Sequence, residues 1–276
     1  MNFIKVSFTA LILLVAVTGC NHYNKVMKSK DYEYKLKKAD EYYEAKRYKY
    51  ARDLYEEIFP VFKGTQKFED IYYRYAYCHY YMGLYRDAEN LFKGFIEVFP
   101  NSPKAEELDY MQAYCFYKES PKLELEQTNT SKAMAMMQVF INTHPGSARI
   151  QDATDIIEKC REKLELKEYR AAQLYFNLGQ YRAAALSFST LMNNYPESLK
   201  GEEYKLMVVR SYYQYAKLSI TDKQVERYEK VVTEYQDFVD RFPESKLLKS
   251  AEDYSKLSLN NIKEIKNEQI TASAKR

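Results

Sequence analysis

The chain has 276 residues, a net charge of +3, 46% hydrophobic residues, and only seven glycines and seven prolines. This length is sufficient for a large core, and the scarcity of glycine and proline favours helices over a Gly-rich β architecture. Because the charge is nearly balanced, the fold lacks the basic surface expected of a nucleic-acid-binding protein, and we expect no nucleic-acid partner.

Residues 1–19 have the pattern of a bacterial lipoprotein signal peptide. Lys5 precedes an apolar run, residues 8–17, that is too short to span a membrane. The run ends in the sequence VTGC, which resembles a bacterial lipobox, and we predict that Cys20 becomes the lipidated first residue of the mature protein. The alternative is an ordinary secreted protein in which Cys20 stands at this position by chance.

Residues 20–30 are polar and basic, and we predict that they form a short lipidated tether. Lys28 and Lys30 begin a basic stretch that continues through Lys35, Lys37 and Lys38. These side chains either contact anionic head groups at the membrane or are simply solvated on a helix face.

Residues 31–145 are predicted to contain three helix–turn–helix repeats, of which the clearest lies between Asp70 and Pro100. Small residues at Ala76 and Ala88 allow two antiparallel helices to approach closely, Gly83 forms the turn, and Pro100 ends the second helix. Similar pairs of small or aliphatic residues occur at Ala39 and Ala51, Ala113 and Ala133, Ala172 and Ala184, and Ser211 and Val231. This is the tetratricopeptide pattern, whose repeat is about 34 residues.

Residues 146–267 are predicted to contain the fourth and fifth repeats and a closing helix. The segment after Pro145 continues as helix into the fourth repeat, and the third and fifth repeats have lengthened inter-helix loops. A polar-faced helix from Lys246 to Asn267 suits the end of a solenoid, and we expect residues 268–276 to be a disordered tail. The predicted fold is all-α, a tetratricopeptide-repeat solenoid of about five helix–turn–helix units with a C-terminal capping helix.

A serine lies two positions after four of the helix-ending prolines. These serines are Ser102, Ser147, Ser198 and Ser245. Because serine is a favoured N-cap residue, we predict that each caps the first helix of the following repeat.

No stretch of the sequence has a catalytic, phosphate-binding or metal-binding pattern. Cys78, Cys115 and Cys160 lack the spacing of metal ligands, and we expect them to be small buried hydrophobes. The three histidines are scattered and form no ligand set. We therefore expect no enzyme activity, no catalytic residue, no cofactor and no metal site.

Tyrosine is unusually abundant, with 29 in the chain. In a tetratricopeptide stack the first helix of each repeat faces the concave side, and counting from Ala76 and Ala113 locates tyrosines on that side. The predicted peptide-binding residues are Tyr43, Tyr73, Tyr77, Tyr80, Tyr81, Tyr110, Tyr114 and Tyr117. Rigid amphipathic rings suit an extended peptide because they bury large areas at low entropic cost. For each ring, packing between helices is the alternative.

Taken together, the lipobox, the tether and the repeat endings of the type P-N-S and P-x-S resemble the BamD family of outer-membrane lipoproteins. The resemblance covers about Tyr32 to Lys217 and is best at residues 92–117 and 144–198. The chain departs from the family in its third-repeat loop, where Thr128 to Ser131 replaces Asp-Pro, and it extends further at its C-terminus.

The resemblance implies a lipid-anchored scaffold on the periplasmic face of the cell outer membrane. Its C-terminal repeats would bind a POTRA domain of the BamA-type barrel insertase. Its N-terminal repeats would receive the aromatic-ending C-terminal signal of unfolded outer-membrane β-barrel proteins. Asn21 agrees with this location, since it is not the aspartate that retains lipoproteins at the inner membrane of some bacteria.

Two other functions stay open at the level of sequence. One is a repeat lipoprotein that binds glycans for nutrient uptake, although such proteins are usually longer and rich in Trp, which this chain lacks. The other is a periplasmic coordinator of the cell envelope.

Overall fold

The computed structural model describes residues 23–274, and every regular element in this range is an α-helix. A short helical segment at residues 23–27 comes first. The helices that follow are α1 (Tyr32–Glu44), α2 (Tyr48–Phe62), α3 (Phe68–Tyr81), α4 (Tyr85–Val98), α5 (Ala105–Lys118), α6 (Thr128–Thr143), α7 (Ile150–Asn177), α8 (Tyr181–Asn194), α9 (Gly201–Lys217), α10 (Thr221–Arg241) and α11 (Leu248–Ala274). None of these helices combines the length and the apolar character needed to cross a bilayer.

The chain divides into two compact lobes at the boundary between Arg161 and Glu162, within α7. In the N-terminal lobe, the consecutive helices α1 to α6 pack in sequence, from the α1–α2 pair to the α5–α6 pair. In the C-terminal lobe, α8, α9, α10 and α11 also pack in sequence, and α11 contacts α9 as well. This succession of helix–turn–helix pairs confirms the predicted all-α tetratricopeptide-repeat fold.

The small residues predicted at the helix crossings are buried. Ala76 and Ala88 have no exposed surface, and the corresponding residues of the other repeats, Ala39, Ala51, Ala113, Ala133, Ala172 and Ala184, are at most 1% exposed. Gly83 has a φ of 76°, in the left-handed region that side-chain-bearing residues rarely adopt. The glycine therefore closes the turn as predicted.

The prediction that serines cap the first helices is wrong. Helix α5 begins at Ala105, and Ser102 lies three residues earlier, where its Oγ accepts a hydrogen bond from the Lys104 N–H at 3.1 Å. The Ser102 hydroxyl donates to Glu69 Oε1 at 2.7 Å. Serine oxygens readily bond an N–H group two residues ahead, so these residues form a turn instead of a cap.

The same arrangement links other repeats. The Ser147 hydroxyl donates to Glu106 Oε1 at 2.6 Å, and the Ser198 hydroxyl donates to Glu165 Oε1. In each pair the glutamate lies at least 33 residues before its serine. The serines therefore fasten the start of one repeat to the first helix of the preceding repeat.

Residues 23–27, within the predicted tether, pack on the first repeat. Val26 is fully buried in the core of the N-terminal lobe, and Tyr23 Oη donates to Asp53 Oδ2 at 3.2 Å. Lys35, one of the lysines considered for head-group contact, is buried and forms an ion pair with Glu57. It is therefore not available to the membrane.

At the other end of the chain, α11 continues to Ala274 through most of the segment predicted to be a tail. No proline or glycine follows Leu248, so nothing in this stretch stops the helix.

Gly94 in α4 allows the ring of Tyr72 to lie against the helix backbone. A Cβ at this position would overlap Tyr72 Oη, and the Tyr72 ring is held by Phe59 and Phe95 at ring-centroid distances of 4.9 and 5.6 Å.

We predict that Gly94→Ala destabilises the protein by about 1–3 kcal/mol, although alanine is the better helix former. In a Tyr72→Phe background the same change should be neutral or stabilising. Equal losses in both backgrounds, measured by urea unfolding, would refute this packing.

Lys205 in α9 is almost fully buried between two carboxylates of α10. Its Nζ lies 2.5 Å from both Glu234 Oε2 and Asp237 Oδ2, and Glu234 also pairs with the exposed Lys230. Burial alone would raise the pKa of Glu234, but its hydrogen bonds and charge interactions with the two lysines outweigh burial and lower that pKa. The resulting stabilisation is full above the unfolded pKa of about 4.5 and is lost as the pH falls through the lower folded pKa.

We therefore predict that Lys205→Met lowers the free energy of unfolding by about 2–4 kcal/mol at pH 7, because it removes the buried cation shared by the largely buried Glu234 and the partly exposed Asp237. The difference from the parent should shrink below about pH 4.5 as Glu234 becomes neutral. Lys230→Met is the matched control, since it removes an exposed partner of the same carboxylate and should change the free energy by less than about 1 kcal/mol. Equal losses in the two variants would contradict the assignment.

Candidate functional site

The eight tyrosines predicted to bind peptide form one continuous chain of ring contacts across α1, α3 and α5. The ring-centroid distances are 6.5 Å for Tyr43–Tyr81, 5.6 Å for Tyr77–Tyr81, 5.5 Å for Tyr80–Tyr81, 4.7 Å for Tyr73–Tyr77, 6.4 Å for Tyr80–Tyr114, 5.8 Å for Tyr110–Tyr114 and 5.7 Å for Tyr114–Tyr117. We call this group, with the two rings described next, the aromatic surface.

Two further rings, absent from the sequence prediction, belong to the aromatic surface. Tyr48 stacks on Tyr81 at 4.5 Å with an interplanar angle of 25°, and Tyr85 meets Tyr80 edge to face at 5.6 Å. Each is the first residue of a second helix, whereas the prediction considered only first helices. Their signal in the sequence is a tyrosine directly after the turn of both hairpins.

Burial divides the aromatic surface into supporting and accessible rings. Tyr77 and Tyr110 are only 5% and 6% exposed, and they pack on Phe92 and Phe140. Tyr81, in contrast, is 49% exposed. The other rings are partly exposed: Tyr43, Tyr48, Tyr73, Tyr80, Tyr85, Tyr114 and Tyr117. A ligand could therefore contact Tyr81 and its neighbours while Tyr77 and Tyr110 hold the helices together.

Glu107, at the start of α5, fixes two of the rings on α3. Tyr73 Oη donates to Glu107 Oε2 at 3.1 Å, and Tyr77 Oη donates to Oε1 at 2.7 Å. Arg149 lies 3.6 Å from the same carboxylate. Burial and the nearby Glu107 raise the pKa of Tyr73 to about 12 and the pKa of Tyr77 still further. Both hydroxyls therefore stay protonated at neutral pH and remain hydrogen-bond donors.

Cationic side chains lie over two of the rings. Lys104 Nζ lies 5.1 Å from the Tyr73 centroid, and the Arg149 guanidinium lies 4.9 Å from the Tyr110 centroid. These distances allow cation–π attraction, which adds to the rigidity of the rings. Burial raises the pKa of the partly exposed Tyr80 to about 12, so the accessible part of the surface also carries a neutral hydroxyl at physiological pH.

A groove of about 800 Å³ lies between α1 and α3. Its lining is rich in carboxylates and comprises Glu33, Leu36, Lys37, Asp40, Glu41, Glu44, Lys67, Asp70, Ile71 and Arg74. Part of this charge is already engaged, because Asp40 accepts a hydrogen bond from Tyr55 at 2.6 Å and Glu44 accepts one from Arg74 at 2.8 Å. The groove offers polar contacts to an extended chain.

The three cysteines within residues 23–274 lie in the hydrophobic core. Cys78, Cys115 and Cys160 are at most 1% exposed, as predicted. Burial raises the pKa of Cys78 and of Cys115 to about 12, so neither thiol is ionised at neutral pH. Within residues 23–274, no group of three or more His, Cys, Asp or Glu side chains could hold a metal ion. Cys20, the predicted lipidation site, lies outside the described residues.

Comparison with known proteins identifies the family. No curated protein sequence matches the chain. Among solved structures, the complex of the TPR2AB domain of yeast Sti1 with pHSP90 aligns at 13% identity and a TM-score of 0.38, over 83% of this chain and 98% of that one. The model of a family described as YfiO, outer membrane lipoprotein, matches residues 28–224. Because that match covers well over half of the sequence, the chain belongs to the YfiO family, the BamD-type outer membrane lipoproteins.

Proposed function

We propose that this lipoprotein is a non-catalytic scaffold of the machinery that folds β-barrel proteins into the outer membrane. In this proposal the N-terminal lobe receives the C-terminal signal of an unfolded barrel protein, and the C-terminal lobe binds a BamA-type insertase. The observation that carries the proposal is the aromatic surface, which joins rings from three successive repeats. A surface of this length suits an extended segment of several residues.

The accessible rings suit a strand that ends in an aromatic residue. The Tyr48–Tyr81 stack presents a flat apolar face, and the neighbouring hydroxyls are neutral donors for the peptide backbone. Binding by ring packing and main-chain hydrogen bonds tolerates different sequences, as a receptor for many barrel proteins requires. The rings are held by Glu107 and by their neighbours, so little ordering is needed when the ligand binds.

The C-terminal lobe offers apolar side chains to the insertase. Leu174 and Leu178 lie one turn apart near the end of α7, and both are more than half exposed. Leu186 in α8 is exposed to a similar degree. The core of a protein interface is more apolar than its rim and is depleted of charge, and we propose that these leucines contact the POTRA domain.

The membrane anchor of the proposed scaffold is the diacylglyceryl group on Cys20. The lipobox and the family match support this anchor and an orientation toward the periplasm. Several acyl chains on one residue would hold the protein at the outer membrane far more firmly than a single chain.

We predict that Tyr81→Ala weakens binding of a peptide with the aromatic C-terminal sequence of a barrel protein by about 30-fold or more, the effect of losing a hot-spot ring. Its melting temperature should change little, because about half of this side chain is exposed. Tyr77→Ala should instead lower the melting temperature, since that ring is buried. Tyr175→Ala, which removes a ring of similar exposure from the C-terminal lobe, is the matched control.

The binding experiment uses fluorescence anisotropy with the labelled peptide and repeats the titration with an oligosaccharide. Peptide binding that is unaffected by Tyr81→Ala would refute the proposed site. Oligosaccharide binding that depends on Tyr81 would favour the glycan-binding alternative instead.

We also predict that Leu178→Glu reduces co-purification of the BamA-type insertase about tenfold or more, because it puts a charge into the proposed apolar contact. Leu259→Glu is the control, since Leu259 is also about half exposed but lies on α11. Equal recovery of the insertase with both variants would exclude this contact. Recovery of a glycan transporter or of division proteins in its place would support one of the alternative functions.

A further inference from the structure

The turn between α1 and α2 differs in chemistry from the corresponding turns of two other repeats. In all three the backbone closes with the same pair of hydrogen bonds, Lys46 N–H to Tyr43 O and Arg47 N–H to Tyr42 O in the first. The corresponding turn residues are Gly83 and Leu84 in the second repeat and Gly179 and Gln180 in the fourth. Such turns favour glycine at the first of these two positions, and the second position is uncharged in both of these repeats. The first repeat has two cations instead.

Lys46 occupies this turn at a conformational cost. Its φ is 56°, and within residues 23–274 it is the one residue other than glycine with a positive φ. Gly83 and Gly179 adopt φ values of 76° and 75° without the clash that a Cβ causes. A side chain kept in a strained conformation points to a role for that side chain.

The cations of this turn have no ionic partners in the described part of the chain. Lys46, Arg47 and Lys49 are exposed and form no ion pair there, although carboxylates flank the turn on both sides. Those carboxylates are already paired, Glu44 with Arg74 at 2.8 Å and Asp53 with Arg52 at 2.5 Å. We call residues 45–49 the basic turn.

Three tyrosines lie beside the basic turn and mark the point where the chain enters the fold. Tyr23 packs on Tyr50 and Tyr42 at ring-centroid distances of 4.5 and 6.0 Å. Tyr23 is three positions after Cys20, so their Cα atoms are at most about 11 Å apart. With Cys20 lipidated, the basic turn and these rings would lie close to the bilayer surface.

We propose that the basic turn and the rings of Tyr23, Tyr42 and Tyr50 bind the surface of an anionic phospholipid bilayer, and so orient the N-terminal lobe on the membrane. This inference rests on the lipid anchor of the proposed function. Without Lys35 and Arg52, which pair with Glu57 and Asp53, residues 23–52 contain eight Lys and Arg against five Asp and Glu, a net charge of +3. Each cation near an anionic surface strengthens binding about five-fold, and tyrosine rings favour the interface between head groups and water.

The test uses the mature protein purified from membranes and reconstituted with vesicles of phosphatidylcholine, with or without phosphatidylglycerol. Lysines are acetylated for a limited time, and the modified peptides are quantified by mass spectrometry. We expect Lys46 and Lys49 to react about five-fold more slowly in the anionic vesicles, and this protection to be lost at 1 M salt. Lys249 and Lys263, exposed lysines of α11, should react equally in both vesicles.

The variant Lys46→Gly/Arg47→Leu gives the first repeat the turn residues of the second. Because glycine relieves the strained backbone at position 46, the melting temperature of this variant should rise by about 2–4 °C. A loss of membrane contact in the variant would therefore not reflect unfolding. Lys49 should lose its protection in this variant. Lys249→Gln/Lys263→Gln removes the same charge elsewhere and should leave Lys49 protected.

Equal acetylation of Lys49 in the two kinds of vesicle would overturn the inference. So would protection of Lys49 that persists in the turn variant, or equal protection of the lysines of α11. The mass of the N-terminal peptide shows in the same digest whether Cys20 carries acyl chains. An unacylated Cys20 would overturn the proposed anchor and this inference with it, whereas an acylated Cys20 with unprotected Lys49 would overturn this inference alone.

Discussion

Two helices can pack at close range only where a small side chain lies at their crossing, and this requirement underlies the arrangement of the whole N-terminal lobe. Ala76 and Ala88 provide that crossing in the second repeat, and both are fully buried. Tyr73 and Tyr80, three residues before and four after Ala76, lie on the same side of α3, and their rings contact Phe95 and Phe92 of α4 at centroid distances of 6.5 Å. The aromatic surface is thus a consequence of the same close packing that stabilises the repeat.

Contacts between successive repeats depend on carboxylates near the beginnings of first helices. Glu69 and Glu106 accept hydrogen bonds from serines of the next repeat, and Glu107 accepts two from tyrosines of the preceding one. Negative charge at a helix N-terminus is stabilised by the helix dipole, so these positions favour glutamate even before it finds a partner. The carboxylates therefore stabilise the helices that carry them and also fix the register between successive repeats.

The proposed functional surfaces of the N-terminal lobe lie on either side of one turn. Tyr48, within the basic turn, stacks on Tyr81 of the aromatic surface, while Tyr42 and Tyr50 contact Tyr23 near the proposed anchor. If the basic turn lies on the bilayer, the accessible rings begin close to the membrane. A barrel strand held there would not have to travel far to reach the site of insertion.

Much of the architecture was predictable because it depends on residues close together in the chain. The spacing of Ala76 and Ala88, the turn at Gly83 and the grouping of tyrosines on first helices are all periodic features of single hairpins. The long helix after Pro145 was predictable for the same reason, since no proline or glycine interrupts residues 150–177. Local signals determine which helices form and which faces they bury.

The tertiary structure alone decided which side chains are accessible and what they bind. Tyr77 is buried and Tyr81 exposed, although they lie on the same helix, because Glu107 and Phe92 come from other helices. Likewise, Ser102 binds Glu69 instead of capping α5, and Lys205 is buried between carboxylates of α10. The partners in these contacts lie from 15 to 33 residues apart along the chain, so no local sequence pattern predicts these contacts. Whether a polar group is solvated or buried depends on which distant atoms replace the water around it.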